Sequence, residues 1–310
     1  MTRARAVLVC LLLAFGTTAC NVDWDRIWDA FSSKSKKRSS RRIRREAEDE
    51  PSRSKKDPEP RSEEATILGD LGVAAFPDGT RDPRVFHDWD SPAIPPKKFS
   101  LTYTLSRRAA DDVEERFKRY ADSVRYVSGE EHRFKWVPPA GCSGDMGCVF
   151  QELTEEDRDA IQPVVALFKK RQQEAKLGTL ELAQLIVNFV QDIRYFEPDD
   201  APFGMLPPAL VLSRSNGDCD SKSLLAKMLL GEFGIDSIML SSALHRHAML
   251  GIALPVKGTK MIVEGREYAF TELTAKGAVI GYLFPDQAKP NDWKPVLLRR
   301  PKFAPAPKPR

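Results

Sequence analysis

One stretch, residues 216–249, constrains this chain more than any other. It opens Asn-Gly-Asp-Cys-Asp-Ser-Lys-Ser, continues as an apolar run, passes Gly-Ile-Asp and closes on His-Arg-His-Ala-Met. Asp218 has the side chain of a helix N-cap, able to accept from an orphan backbone N–H, which puts Cys219 at the first helical position. Leu224, Leu225, Met228 and Leu229 recur at helical spacing. Gly231 and Gly234 offer stops, and Gly234 is the better residue for a left-handed C-terminal cap. Residues 238–240 are apolar and suit a buried strand. His245 and His247 lie two apart, so on a strand they share a face.

A cysteine at a helix start is placed for reactivity, because backbone N–H groups and the dipole favour the thiolate. The dipole contributes only about 0.3–1 kcal/mol, less than one pKa unit at roughly 1.4 kcal/mol. An imidazolium from His247 would supply the rest, so the expectation is an activated thiol at neutral pH. A small core cysteine is the plainer reading. The neighbours Asp218, Asp220, Ser221 and Lys222 make this helix start polar and argue against it. His245, His247 and Cys219 also form a possible zinc set, but the sequence shows no dedicated fourth ligand, and no metal or other cofactor is expected.

Four segments in order resemble the transglutaminase-like superfamily of papain-related cysteine enzymes. They are Phe189-Val190-Gln191-Asp192-Ile193-Arg194-Tyr195, then Gly217-Asp218-Cys219-Asp220-Ser221 with the helix after it, then Gly234-Ile235 with His247-Ala248-Met249, then Phe270-Thr271-Glu272-Leu273-Thr274. Together they lie within residues 180–283, about a third of the chain. The resemblance implies an α+β fold, a papain-like, transglutaminase-like core with the cysteine helix packed on an antiparallel sheet, and acyl transfer through a thioester. It implies Cys219 as nucleophile, His247 as base and Glu272 as the residue that orients the imidazole. The family more often carries Asp at this third position, in an Asp-Pro-Thr context. The Cys219 N–H and the Gln191 side chain are the expected oxyanion donors. Tyr268, Phe270, Glu272 and Thr274 alternate, so on a strand Glu272 projects from a mainly apolar row. A carboxylate there needs a partner, and an imidazole N–H is the natural one. Asn291-Asp292-Trp293 is the competitor, being similar to the Asn-x-Trp of papain.

The N-terminus reads as an export signal over residues 1–20. Arg3 and Arg5 precede an apolar run at 6–16, within the signal range of roughly 7–15 residues and short of the roughly 20 that span a bilayer. Thr17-Thr18-Ala19-Cys20 then makes Cys20 resemble the lipid-modified cysteine of bacterial lipoproteins; cleavage after Ala19 without lipid is the alternative. Residues 21–64 hold a short amphipathic segment, with Trp24, Ile27, Trp28 and Phe31 on one face, and then a charged Ser-rich linker. A formal charge of +4, falling to +2 when Arg3 and Arg5 leave with the signal, is no nucleic-acid signature.

Residues 65–160 are expected to form an α/β region that packs on a catalytic domain at 161–300, with a disordered Pro-rich tail at 301–310. Within the first, Phe99, Leu101, Tyr103 and Leu105 alternate as a strand, and Ser106 caps a helix with Val113, Phe117, Tyr120 and Val124 on one face. Cys142 and Cys148 in a Gly-rich loop suit a disulfide in an exported chain. Cys10 leaves with the signal and Cys20 carries lipid, so Cys219 remains as the free thiol. A helix with an acidic first turn is expected from Thr154 to about 176, interrupted early by Pro163, and another over 180–193. The function these readings converge on is hydrolysis of a peptide or isopeptide bond in the bacterial envelope, by a membrane-anchored periplasmic lipoprotein. A protein-crosslinking transglutaminase and a catalytically silent binding module are the alternatives.

Overall fold

The computed structural model describes residues 69–75, 84–128, 134–137, 142, 146–199 and 201–299. The export signal, Cys20, the amphipathic segment, the charged linker and the tail lie outside the described residues. Among those described, no helix is long and apolar enough to cross a membrane.

A three-stranded sheet comes first, from β1 (Asp70–Ala75), β2 (Arg84–Asp90) and β3 (Lys98–Thr104). Its order is β1-β3-β2, with β1 parallel and β2 antiparallel to the central strand. Phe99, Leu101 and Tyr103 point inward, as their period of two requires. Helix α1 (Arg107–Ser123) is capped by Ser106, whose Oγ accepts from Ala109 N at 3.1 Å, and it buries Val113, Phe117 and Tyr120. A hairpin of β4 (Arg125–Ser128) and β5 (Phe134–Val137) follows.

Helix α2 (Met146–Ala175) starts well before the Thr154 expected from its acidic turn. Thr154 is no cap: its hydroxyl bonds back to the Phe150 carbonyl at 2.7 Å, inside the helix. Cys148 therefore sits in the first turn of α2 and is disulfide-bonded to Cys142. Pro163 lies within a continuous helix instead of interrupting it. The boundary expected at 160/161 falls inside α2, so the chain does not divide there.

Helix α3 (Thr179–Asp192) is followed by β6 (Arg194–Tyr195), α4 (Pro208–Arg214) and β7 (Asn216–Gly217); β6 and β7 pair in parallel. Helix α5 (Cys219–Gly231) then enters the core. Leu224, Leu225, Leu229 and Leu230 are all fully buried and each contributes roughly 1.5–3 kcal/mol of transfer free energy. Gly234 takes φ +69°, which lets the Ile235 N–H reach the Leu230 carbonyl at 3.1 Å.

Beyond it lie β8 (Ser237–Ser242), β9 (His247–Ile252), β10 (Lys260–Val263), β11 (Arg266–Thr271) and β12 (Lys294–Val296). They form one sheet in the order β10-β11-β9-β8-β12, every neighbour antiparallel. The molecule is thus mixed α+β, and its five-stranded sheet is antiparallel throughout. Alternation splits the sheet's residues cleanly. Met239, Leu250, Ile252 and Ala269 join the main core with the five helices. Ile238, Leu240, Met249, Tyr268 and Phe270 face the other way, under Leu283 and Trp293.

Candidate active site

Cys219 is placed by the start of α5. Asp218 Oδ1 accepts from Ser221 N at 2.8 Å and from the Ser221 hydroxyl, so the N-cap is made twice over. The Ser221 Oγ in turn accepts from Leu206 N at 2.8 Å, which ties the helix start to the chain before α4. Gly217 is needed for the approach: a Cβ there would stand 3.0 Å from Ser221 Cβ and 3.3 Å from a Val211 methyl. The thiol is buried, and the Ala248 N–H at the start of β9 donates to its sulfur. The residue before Ala248 is His247, so the strand that meets the thiol through its backbone also carries the imidazole.

His247 opens β9, and its Nε2 lies 2.8 Å from Glu272 Oε2. Glu272 directly follows β11, the strand paired with β9. Its second oxygen accepts from Thr274 N at 2.6 Å and from Thr274 Oγ1 at 2.7 Å. Burial pushes this carboxyl up, but the His247 bond and charge and the two Thr274 donors more than reverse that and hold it at about 2. An ionised Glu272 accepts, so the Nε2 carries the proton and Nδ1 is left with the free lone pair.

His245 does not share a strand with His247. It lies in the turn at 243–246, where Arg246 takes φ +51°. Its Nε2 meets Asp292 Oδ2 at 3.2 Å. Trp293 stands against both imidazoles, stacked on His245 at 5.6 Å and edge-on to His247 at 6.1 Å. Asn291, the competitor for the third position, is exposed, and it is its neighbours Asp292 and Trp293 that reach the histidines. The zinc set of His245, His247 and Cys219 is not assembled. Among the described residues the only close group of three potential ligands is Asp218, Cys219 and Asp220.

Gln191 is close to the site but is not an oxyanion donor. Its Nε2 donates to Glu272 O and to Ala278 O, both at 2.8 Å, which uses both amide protons. Sequence reasoning missed two neighbours. Tyr195, on β6, donates its hydroxyl to Glu197 Oε1 at 2.7 Å; burial first, and the Cys219 sulfur next, oppose its ionisation. The signal was the tyrosine ending the Gln191–Tyr195 segment, read above only as part of a resemblance. Lys222 is buried under the site, donating to Ile193 O at 2.6 Å and Gln191 O at 3.2 Å. Burial brings it down to about 8.

The thiol is not the expected thiolate. Burial pushes Cys219 well above its usual range, and the charges of Asp220 and Asp218 push further the same way; the Ala248 N–H opposes them. Asp220 is itself raised by burial to about 6, with His247 pulling it down. The site therefore holds a thiol whose burial disfavours the thiolate, and an imidazole oriented by a carboxylate. No family model matches this chain, and neither a curated protein nor a solved structure does.

Proposed function

We propose that this protein is a cysteine-dependent acyl-transfer enzyme with a papain-like, transglutaminase-like core, hydrolysing a peptide or isopeptide bond. The observation that carries the reading is the His247–Glu272 pair at 2.8 Å on a strand whose Ala248 N–H meets a cysteine at a helix start. In the first step the Cys219 sulfur attacks an amide carbonyl while His247 Nδ1 takes the thiol proton. A C–S bond forms, the carbonyl electrons move to oxygen, and the Cys219 N–H faces that oxyanion with no intrahelical acceptor of its own. The C–N bond then breaks, and the imidazolium returns the proton to the leaving amine. Water, deprotonated by the same imidazole, cleaves the thioester and restores the thiol.

A thiol whose burial disfavours the thiolate fits this sequence, because proton transfer accompanies attack and no standing ion pair is required. The signal-like N-terminus and Cys20 support a membrane-anchored periplasmic lipoprotein that acts on an envelope peptide or protein, with no cofactor and no nucleic-acid partner.

The test is site-resolved labelling of the purified protein with a peptidyl vinyl sulfone. The expected result is one adduct on Cys219, lost in His247→Ala. Labelling of native protein no faster than of urea-unfolded protein, and untouched by His247→Ala, would falsify the reading.

A further inference from the structure

Helix α3 is apolar almost all round, yet it carries a polar stripe. Gln184, Asn188 and Gln191 recur at i, i+4 and i+7, so they share one face, and all three are buried. Buried carboxamides are costly unless matched group by group. These are matched by the loop that follows β11. Gln184 Oε1 accepts from Ile280 N at 3.1 Å, and its Nε2 donates to Ala278 O at 3.4 Å. Gln191 Oε1 accepts from Gly277 N at 3.1 Å and from Asn188 Nδ2 at 2.8 Å. With the two carbonyls on its Nε2, its hydrogen-bonding capacity is full. Asn188 Oδ1 accepts from Ser91 Oγ at 2.9 Å, just past the end of β2. One turn on, Asp192 Oδ1 pairs with Lys276 Nζ at 2.6 Å. The loop at 272–280 has no strand or helix of its own, so α3 supplies its template.

We propose that Gln191 is a positioning residue that acts through Glu272. By holding the Glu272 carbonyl and the Ala278 carbonyl with one carboxamide, it fixes the Glu272 backbone so that Oε2 meets His247 Nε2. The chain of bonds through Asn188 to Ser91 anchors that carboxamide to the first sheet. Gln191 touches neither the thiol nor the reacting carbonyl. The proposal rests on the functional reading above for the His247–Glu272 pair and adds the residue that sets it. Misplacing such a pair by about 1 Å costs on the order of a hundredfold in rate, so the holding residue has large leverage.

The experiment compares Gln191→Met, Glu272→Gln and the double variant in the full chain. Two readouts are used: the low-field proton resonance of His247 Nε2–H, and the rate of Cys219 alkylation by iodoacetamide at pH 7.5. Gln191→Met is expected to move the resonance upfield and to slow alkylation about tenfold or more. The double variant is expected to be no slower than Glu272→Gln alone, because the two changes break one linkage. An unmoved resonance in Gln191→Met, or equal slowing by that change in both backgrounds, overturns the proposal. Should Gln191→Met fail to fold, Asn188→Ser withdraws one donor from Gln191 and is judged by the same two-background comparison. A His247→Ala protein alkylated as fast as wild type would sink the functional reading instead, and leave the resonance test of Gln191 standing.

Discussion

At the scale of single residues, charge around the thiol decides behaviour. Asp220 is half-buried, raised by burial to about 6, and raises Cys219 in turn. A carboxyl whose folded pKa exceeds its unfolded value binds its proton better when folded, so its penalty is absent at low pH and complete above the folded value. Asp220→Asn is therefore expected to leave stability unchanged below about pH 4 and to raise it above pH 6 by roughly 1–3 kcal/mol. The same change lowers the thiol pKa, so iodoacetamide should modify Cys219 several-fold faster at pH 7. Thermal melts across pH and alkylation rates check both; a variant slower to alkylate would reverse the assignment. Glu272 has the opposite sign: held at about 2, it adds stability above the ordinary carboxyl range that is lost as pH falls through about 2. Glu272→Gln cannot accept the Nε2 proton in the same way, and turnover should fall by about two to four orders of magnitude. Asn291→Ala, an exposed site, should keep near-normal turnover on the same substrate.

At the scale of elements, the segment after the 3-10 turn at Pro290–Asp292 carries more than its length suggests. Trp293 precedes β12, donates its Nε1 to Gln287 O at 3.0 Å and packs edge-on to Phe270 at 5.8 Å as well as against both histidines. Trp293→Ala should cost about 3–5 kcal/mol in urea unfolding, and Trp293→Phe only about 1–2 through the lost bond and smaller ring. Equal losses would mean that the ring's contacts do not matter.

The sequence showed some of this layout and hid the rest, for physical reasons. The cysteine helix and the strands after it were legible because an N-cap, a glycine stop and apolar periodicity are local signals. The Ser106 cap and the α1 stripe were legible on the same grounds. The start of α2 was not, since Gly-Asp-Met-Gly reads as loop until the disulfide and buried packing around Cys148 are known. The return of Trp293 to the histidines was missed because β12 pairs with β8, across more than fifty intervening residues by the numbering. The thiol's charge state was misread because burial, the largest influence on it, depends on packing that the sequence does not show, and because the flanking Asp220 and Asp218 were weighed only as polar neighbours.

At the scale of the whole molecule, the first sheet and the site sheet are parts of one core. The main apolar cluster runs from Leu71 to Val296 without a break at α2. Polar links cross the same region: Tyr103 of β3 donates to Ala160 O at 3.0 Å, and Asp157 of α2 accepts from Ala209 N of α4 at 2.7 Å while facing Arg116 of α1 at 3.4 Å. Chains above about 150 residues often lose two-state behaviour, so shared burial makes a definite claim here. Two native tryptophans report on the two ends. Trp89 on β2 stacks on Phe99 and meets Phe189 of α3 edge-on at 5.1 Å, whereas Trp293 lies on the far face of the five-stranded sheet. With Trp24, Trp28 and Trp136 changed to Phe, each of the two is then kept alone. Helix α3 packs against the first sheet, against α5 and against the Glu272 loop, so loosening either sheet exposes the apolar face of the other. The two single-tryptophan proteins should therefore show the same urea slope, and loss of Cys219 labelling should follow the fluorescence of Trp89 as closely as that of Trp293 once each variant's stability is matched. A Trp89 transition complete while Cys219 still labels at the native rate would show that the site sheet stands alone.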